Sequence, residues 1–221
     1  MKYCYTTQTE QFKLFQEYII NIEGGKICYY TDPSLSSKYV AIINALEVWA
    51  IPTAFIFERV TDPKQACIKF YNYTDSVRSK INAEHNYEWG YDINTTLGAA
   101  LITGPKSDMY GHIFFNPSID WNKYSFLGTA IHEIGHILGI KHTDKPGNVM
   151  LEYYTPQETL GRDDMAAAIA VRKRVLPDVD QSPFKVVTML PEETQALVDT
   201  LREMANHALS ISDTIYNKAL K

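Results

Sequence analysis

The sequence has little cysteine, no long apolar run and no excess of positive charge. Its three cysteines, Cys4, Cys28 and Cys67, are too few and odd in number for a disulfide framework, so we expect free or buried thiols. No apolar run reaches the roughly 20 residues that a membrane-spanning helix needs, and we therefore expect no membrane span. The net charge of −5 argues against nucleic acid as a partner.

The first residues also lack the apolar core of a secretory signal. The protein would then act inside a cell or a virion, leave by a non-standard route, or have lost a leader, so its localisation is not assigned. There is no internal repeat and no low-complexity tract. The apolar content of 45% is enough for a core, and the length fits one domain with an appendage.

Breaker residues divide the chain into three regions. Residues 1–25 predict an N-terminal extension with a short amphipathic helix over 10–20, ended by two glycines. Residues 26–175 predict the main domain. Residues 176–221 predict a proline linker and a helix over 192–220. The narrow apolar stripe of that helix favours packing on its own domain and a monomer, with a dimer through the helix as the alternative.

Periodicity within the main domain predicts strands first and the longest helices around and after them. The predicted strands cover 26–31, 55–61, 66–73, 97–103 and 112–116. The predicted helices cover 36–50, with Val40, Ile43, Leu46 and Trp49 as its buried face, then 128–138 and 163–175. Residues 75–94 and 143–161 are expected to be irregular. This order predicts an α+β fold with a mixed sheet, because helix 36–50 is long enough to connect parallel strands.

One segment, residues 132–142, carries a metal-ligand pattern. It reads H-E-x-x-H-x-x-G-x-x-H. His132 and His136 are four residues apart, so on a helix they lie on one face and can share a Zn²⁺ at Zn–N distances of about 2.0–2.1 Å. Gly139 allows the sharp exit that brings His142 back as a third ligand. Three protein ligands leave one position for water, which is typical of a catalytic zinc site.

Glu133 lies about 100° around the helix from His132, as expected for 3.6 residues per turn. It can therefore sit beside the water without being a ligand, and it is the predicted catalytic base. The alternative of ordinary histidines on a buried helix does not explain why three of six histidines fall in register with this Glu and Gly. An inactive protein that keeps its zinc is a second alternative, which the presence of Glu133 disfavours.

The motif is the zinc signature of the metzincins, and its surroundings resemble the matrixins, the catalytic domains of the matrix metalloproteinase family. Met150 follows His142 by eight residues, as in the Met-turn of that family. The R-D-D-M sequence at 162–165 is similar to the start of its last helix, where paired aspartates brace the Met-turn. The F-N-P-S-I-D-W sequence at 115–121 resembles its F-D-x-x-E-x-W segment.

The resemblance implies a metzincin-like catalytic domain over 26–175, with a twisted mixed sheet and a zinc helix followed by a Met-turn and further helices. It implies a substrate pocket beside Tyr154. It also implies that an edge strand at 97–104 pairs with an extended substrate. The residues of that strand expected to bind substrate are Leu97, Gly98, Ala99 and Ala100.

The sequence departs from the family at the accessory metal sites. His85 could be a remnant of one structural-zinc ligand, but the matching later positions are Ala99 and Phe114, which cannot bind zinc. Asn116 and Ile119 stand at calcium-binding acidic positions, and Ile119 has no oxygen ligand in its side chain. We therefore expect one catalytic zinc and neither a structural zinc nor calcium. Glu152 replaces a family proline two residues after Met150, which changes the pocket.

The sequence thus predicts a zinc endopeptidase acting on protein or peptide substrates. The first alternative is a virion- or assembly-associated scaffold that retains the fold. The second is a zinc hydrolase acting on a non-peptide amide.

Overall fold

The computed structural model describes residues 25–85, 96–101 and 111–176. The chain divides into two units, Met1–Val179 and Asp180–Lys221, and all described residues belong to the first. The helices predicted at 10–20 and 192–220 lie outside the described residues. No described helix is long and apolar enough to cross a membrane.

A five-stranded sheet forms the frame of the domain. In chain order its strands are β1 Lys26–Thr31, β2 Ile56–Arg59, β3 Ile68–Asn72, β4 Gly98–Ala100 and β5 His112–Phe115. Their order across the sheet is β2-β1-β3-β5-β4. All neighbours are parallel except β4, which pairs antiparallel with β5. The predicted α+β fold with a mixed sheet is therefore confirmed.

Four helices complete the described part of the fold. They are α1 Tyr39–Thr53, α2 Asp75–His85, α3 Phe126–Ile137 and α4 Arg162–Val175. Two short 3-10 helices, Pro33–Lys38 and Pro63–Gln65, lie in the connections. Alternate residues of β1, β3 and β5 form one core with α1, α3 and α4, because strand side chains point to the two faces in turn.

Helix α1 differs from its prediction in register and in length. Its buried residues include Ile42, Ala45, Leu46 and Trp49, whereas Val40 is 70% exposed. The first turn predicted as α-helix is part of the 3-10 helix Pro33–Lys38. Pro52, expected to follow the helix, lies buried inside its last turn, and Ala54 ends the helix in the left-handed conformation.

The prediction of a loop over 75–94 is wrong for its first half, which is helix α2. The hydroxyl of Thr74 accepts a hydrogen bond from the backbone of Val77, and Asp75 lies at the positive end of the helix. Residues 86–95 and the side chain of His85 lie outside the described part of the chain. The other elements match their predictions to within a few residues. Residues 143–161 contain no helix or longer strand, and Thr143 and Leu151 form an isolated bridge there.

Candidate metal centre and active site

Helix α3 presents the two histidines of the motif on one buried face. Its N-cap is Ser125, whose hydroxyl accepts a hydrogen bond from Gly128 N at 2.8 Å. From Gly128 to Ile137 every residue of the helix is buried, so its polar groups are held in an apolar environment. The rings of His132 and His136 lie one turn apart, with centroids 4.7 Å from each other.

A glycine turn then brings the third histidine to the first two. Gly139 has φ 87°, as predicted, and the backbone of Ile140 donates to Gly135 O at 2.9 Å. His142 Nε2 consequently lies 3.1 Å from His132 Nε2 and 3.0 Å from His136 Nε2. The Nε2 atoms of His132 and His136 are 3.0 Å apart. In the described part of the chain these three residues form the only such group of histidine, cysteine or acidic side chains that could hold a metal.

The hydrogen bonds of the histidine rings fit this group for a metal ion. His132 Nδ1 lies 2.7 Å from Val149 O, and His136 Nδ1 lies 2.9 Å from Ile140 O. Carbonyl oxygens only accept, so we assign the proton of each ring to Nδ1, which leaves the Nε2 lone pair facing the group. The three Nε2 atoms are 3.0–3.1 Å apart, so their lone pairs repel one another when no cation lies between them. Two tetrahedral ligand atoms about 2.0–2.1 Å from a zinc ion are roughly 3.3 Å apart, which is close to this spacing.

Burial keeps these rings neutral. It lowers the pKa of His136 to about 3 and that of His142 to about 4, with the neighbouring imidazole adding to the effect at His136. The pKa of His132 is lowered well below its usual value for the same reasons. Neutral imidazole is the form that binds metal, so the fold favours the ligand state.

Glu133 is the buried carboxyl group beside the histidines. It is 0% exposed, and no side chain among the described residues hydrogen-bonds its carboxylate oxygens. Burial raises its pKa to about 8, and the backbone of Ala100 offsets only part of that rise. A side chain on Gly98 would come within 3.3 Å of Glu133 Cγ, so strand β4 runs directly past this carboxylate. The group is thus poised to take or give a proton near neutral pH.

Met150 and Trp49 pack against Gly135 on helix α3. Both are fully buried, and the indole of Trp49 donates to Ile131 O at 2.8 Å, which ties α1 to the zinc-motif helix. Gly135 lies between them: a Cβ there would meet the sulfur of Met150 and would lie 2.8 Å from Trp49 Cζ2. That Met150 lies beneath the histidines stays a prediction. The contacts of Trp49 with helix α3 were not predicted.

Replacing Gly135 by alanine should therefore destabilise the domain. We expect a loss of roughly 1–3 kcal/mol from overpacking, reduced by the better helix propensity of alanine. Urea unfolding of the Gly135→Ala protein measures it. Combining it with Met150→Ala should cost less than the sum of the two changes, because the methionine is one of the clashing groups. Strict additivity of the two losses would contradict this packing.

Asp164, at the start of α4, holds the backbone around Met150. Its carboxylate accepts hydrogen bonds from Val149 N at 2.7 Å, Met150 N at 3.2 Å and Gly161 N at 2.8 Å. It is 1% exposed, and burial raises its pKa although these bonds act in the other direction. The Val149 carbonyl accepts from His132, so Asp164 positions a histidine through one intervening residue.

Asp164→Asn should cost roughly 2–4 kcal/mol of stability, because an amide cannot accept all three bonds and its NH₂ group faces backbone donors. Chemical denaturation checks the value. Asp163→Asn is the matched control, since that carboxylate contacts the ammonium of Lys145 at 3.0 Å rather than the Met150 turn. Equal losses in the two variants would argue against this role of Asp164.

The segment after Met150 is fixed against the first turn of α3. Tyr154 Oη accepts a hydrogen bond from Ser125 N at 2.8 Å, and the Ser125 hydroxyl donates to Glu158 Oε1 at 2.5 Å. A side chain on Gly128 would lie 2.5 Å from the carbonyl of Gln157, so only glycine permits this approach. Tyr154, predicted as a pocket wall, therefore lies beside the N-terminus of the zinc-motif helix. The contacts of Ser125 and Glu158 were not predicted, although a serine before an apolar run is a recognised N-cap signal.

Among the described strands, β4 lies at one end of the sheet next to β5, as the predicted edge position requires. It spans Gly98–Ala100, shorter than predicted, and Leu97 precedes it. Ala99 pairs directly with Phe114, so the two residues expected to replace structural-zinc ligands are neighbours across the strands. Near the histidines, Glu152 is half-buried, and its negative charge raises the pKa of His142 against the larger effect of burial.

The three converging histidines, reached through a helix and a glycine turn, with a methionine packed against that helix, are the arrangement of the metzincin class of zinc metalloproteases. The family model described as Matrixin matches residues 27–171. The chain therefore belongs to the matrixin family.

Curated relatives agree with this assignment. Karilysin of Tannerella forsythia is 32% identical over 134 residues, which cover 58% of this chain and 27% of that protein. The probable matrix metalloproteinase 095L of Invertebrate iridescent virus 3 is 30% identical over 143 residues, or 59% of this chain and 37% of that protein. Human neutrophil collagenase is 29% identical over 157 residues, which cover 66% of this chain and 31% of that protein. The chain thus spans well under half the length of these relatives.

Proposed function

We propose that this domain is a zinc-dependent endopeptidase with His132, His136 and His142 as zinc ligands and Glu133 as general base. Membership of the matrixin family implies such an activity at the family level. The observation that carries the proposal for this chain is the fully buried Glu133 carboxylate, which no side chain among the described residues hydrogen-bonds and which follows a ligand of the converging histidine group on the same helix.

A zinc ion held by the three Nε2 atoms would lower the pKa of a bound water toward about 7 and polarise the carbonyl of the scissile bond. Glu133 would accept the proton of the attacking water and pass it to the leaving amine. Its raised pKa of about 8 describes the protein without metal; a nearby cation favours the ionised form that a base needs.

The surrounding residues would position the substrate. An extended peptide would add to the sheet at β4 through main-chain hydrogen bonds, with Leu97, Gly98, Ala99 and Ala100 on the substrate side. The side chain after the scissile bond would enter a pocket beside Tyr154. The fixed segment 154–158 would form its wall, and we expect an apolar residue there. A preference for basic residues would instead point to Glu152.

The test is cleavage of a peptide library followed by mass spectrometry. Protein carrying zinc should cleave peptides internally, and metal analysis should return about one zinc per chain. Removing the metal with a chelator should abolish cleavage, and added zinc should restore it. A protein that binds zinc but cleaves no peptide would contradict the proposal and favour a scaffold or a hydrolase of another amide. Two tightly bound zinc ions would show that an accessory site exists.

A further inference from the structure

Helix α1 carries apolar side chains on its outer face as well as on the face buried in the core. Val40 is 70% exposed, Ile51 is 63% exposed and Ile43 is half-buried. At about 100° per residue these three lie within roughly 80° of one another, on the side opposite the fully buried Trp49. A surface helix normally has polar residues on the side away from the core. The α1 outer face, defined by Val40, Ile43 and Ile51, is therefore suited to further packing.

The size of the α1 outer face fits one short helix. Val40 and Ile51 are eleven residues apart, which is about 16 Å along a helix. The exposed polar residues Asn44 and Glu47 lie between them, so the face suits an amphipathic segment. Stable interfaces between separate proteins bury roughly 1,200–2,000 Å², which is more than one face of a four-turn helix offers. A segment tethered to the domain needs less area, because its effective concentration is high.

The N-terminal segment joins the domain at one end of this face. Residues 1–24 lie outside the described part of the chain and lead directly into Gly25. The carbonyl of Gly25 accepts a hydrogen bond from Ile56 N at 2.9 Å. Ile56 begins β2 shortly after α1 ends at Thr53. The segment is therefore attached near the end of α1 that carries Ile51.

The sequence of this segment matches the face in length and in pattern. Residues 10–20 predict an amphipathic helix about 16 Å long. Its apolar stripe consists of Phe12, Phe15 and Ile19. Residues 21–24 connect it to Gly25, and four residues can span up to about 13 Å. The connection is thus long enough for the stripe to reach the α1 outer face.

We propose that residues 10–20 form a helix that packs on the α1 outer face and runs parallel to α1. The attachment at Gly25 places the last turn of this helix beside Ile51, so that Ile19 contacts Ile51. Phe12, two turns earlier, then lies beside Ile43. The N-terminal segment is on this view a structural part of the domain. The proposal concerns stability and does not depend on the proposed peptidase activity.

The test is a double-mutant cycle in the full-length chain, measured by urea unfolding. Ile51→Ala and Ile19→Ala should each lower the urea midpoint by roughly 0.3–0.5 M, because each truncates a side chain in the contact. The double variant should lose clearly less than the sum, since both changes remove the same contact. If nothing covers Ile51, Ile51→Ala should leave the midpoint unchanged or raise it, because alanine has the better helix propensity.

Ile56→Ala is the matched control. Ile56 is 65% exposed, much like Ile51, but its neighbour Phe57 packs on the core with the helices. Because side chains alternate along a strand, Ile56 projects from the opposite face of the sheet. Its effect should add to that of Ile19→Ala without coupling.

Three results would each overturn the proposal. The first is additivity of the Ile19→Ala and Ile51→Ala losses. The second is an Ile51→Ala protein that is no less stable than the wild type. The third is a urea midpoint that rises with protein concentration together with a dimer on light scattering, because the occupant of the α1 outer face would then be a second copy of the chain.

Discussion

Replacing Glu133 by alanine should lower kcat/KM for peptide cleavage by on the order of 100- to 10,000-fold, the contribution of a positioned acid–base group, while zinc stays bound. Glu133 follows His132 on α3 and is not one of the converging ligands. His142→Ala should behave differently and lose zinc together with activity, because it removes a metal-binding nitrogen. Peptide turnover and metal content, measured on the same samples, separate the two roles.

Glu47→Gln is the matched control for the Glu133 variant. It changes an exposed carboxylate on α1 and should leave both turnover and zinc unchanged. Glu133→Gln, which keeps the shape of the side chain, should be as inactive as Glu133→Ala, since the amide cannot accept the proton. Retention of most of the activity in either Glu133 variant would show that another group activates the water.

The metal-free protein should be most stable near pH 6.5 and lose stability on both sides. The histidines ionise near 6.5 when unfolded, but in the fold His136 and His142 have pKa values of about 3 and 4, and that of His132 is also low. Below pH 6.5 the unfolded chain therefore binds more protons, and stability falls as the pH falls. Glu133 acts in the opposite sense, because its pKa rises from 4.5 to about 8 in the fold.

Between pH 4.5 and 6.5 the unfolded chain binds extra protons at three histidines, whereas the folded chain holds one extra proton at Glu133. The unfolded chain therefore binds more protons in total, and stability falls as the pH falls. Above pH 7 the unfolded histidines are mostly neutral and Glu133 determines the slope, so stability should fall by about 0.5 kcal/mol between pH 7 and 8, less than the 1.4 kcal/mol per pH unit of a whole proton because the histidines still offset part of it. Melting temperatures of chelated protein across this range give the profile. In Glu133→Gln the loss of stability at high pH should vanish, while the loss of stability below pH 6.5 should remain. Parallel profiles of the wild type and Glu133→Gln from pH 6.5 to 8 would contradict the buried state of Glu133.

The zinc-motif segment was predictable because its information is local. The spacing of His132, His136 and Gly139 determines which atoms converge once the segment is helical, and it needs no knowledge of the rest of the chain. Strands β1, β3 and β5 were predicted equally well, since short apolar runs bounded by turn residues indicate strands.

Helix α2 and the register of α1 were harder to predict. Residues 75–85 are mostly polar, with Val77 and Ile81 as their only large apolar residues, so the apolar signal for a helix is weak. The other signals are the cap at Thr74 and the acid at Asp75. In α1 nearly every residue is apolar, and the pattern alone could not tell whether Val40 or Ile42 faces the core. Packing of Trp49 against α3 decides the register, and its hydrogen bond joins residues 82 positions apart.

The partners of the site were only partly predictable for the same reason. The family resemblance indicated that aspartates brace the Met150 turn, but not which backbone groups Asp164 would bind. The hydrogen bond between Ser125 and Glu158 joins residues 33 positions apart, and neither residue carries a sign of it in the sequence.

In the proposed site all three metal-binding nitrogens come from residues 132–142, within a single short piece of chain. Bringing together ligands so close in sequence costs little loop entropy. The unfolded chain therefore keeps part of its affinity for zinc, and any binding to the unfolded state reduces the stabilisation that a ligand gives the fold. Zinc would thus add less to the free energy of unfolding than its affinity for the folded domain suggests. Stability then comes mainly from the sheet and from the contact between α1 and α3, which the chain can strengthen without altering how tightly it binds its metal.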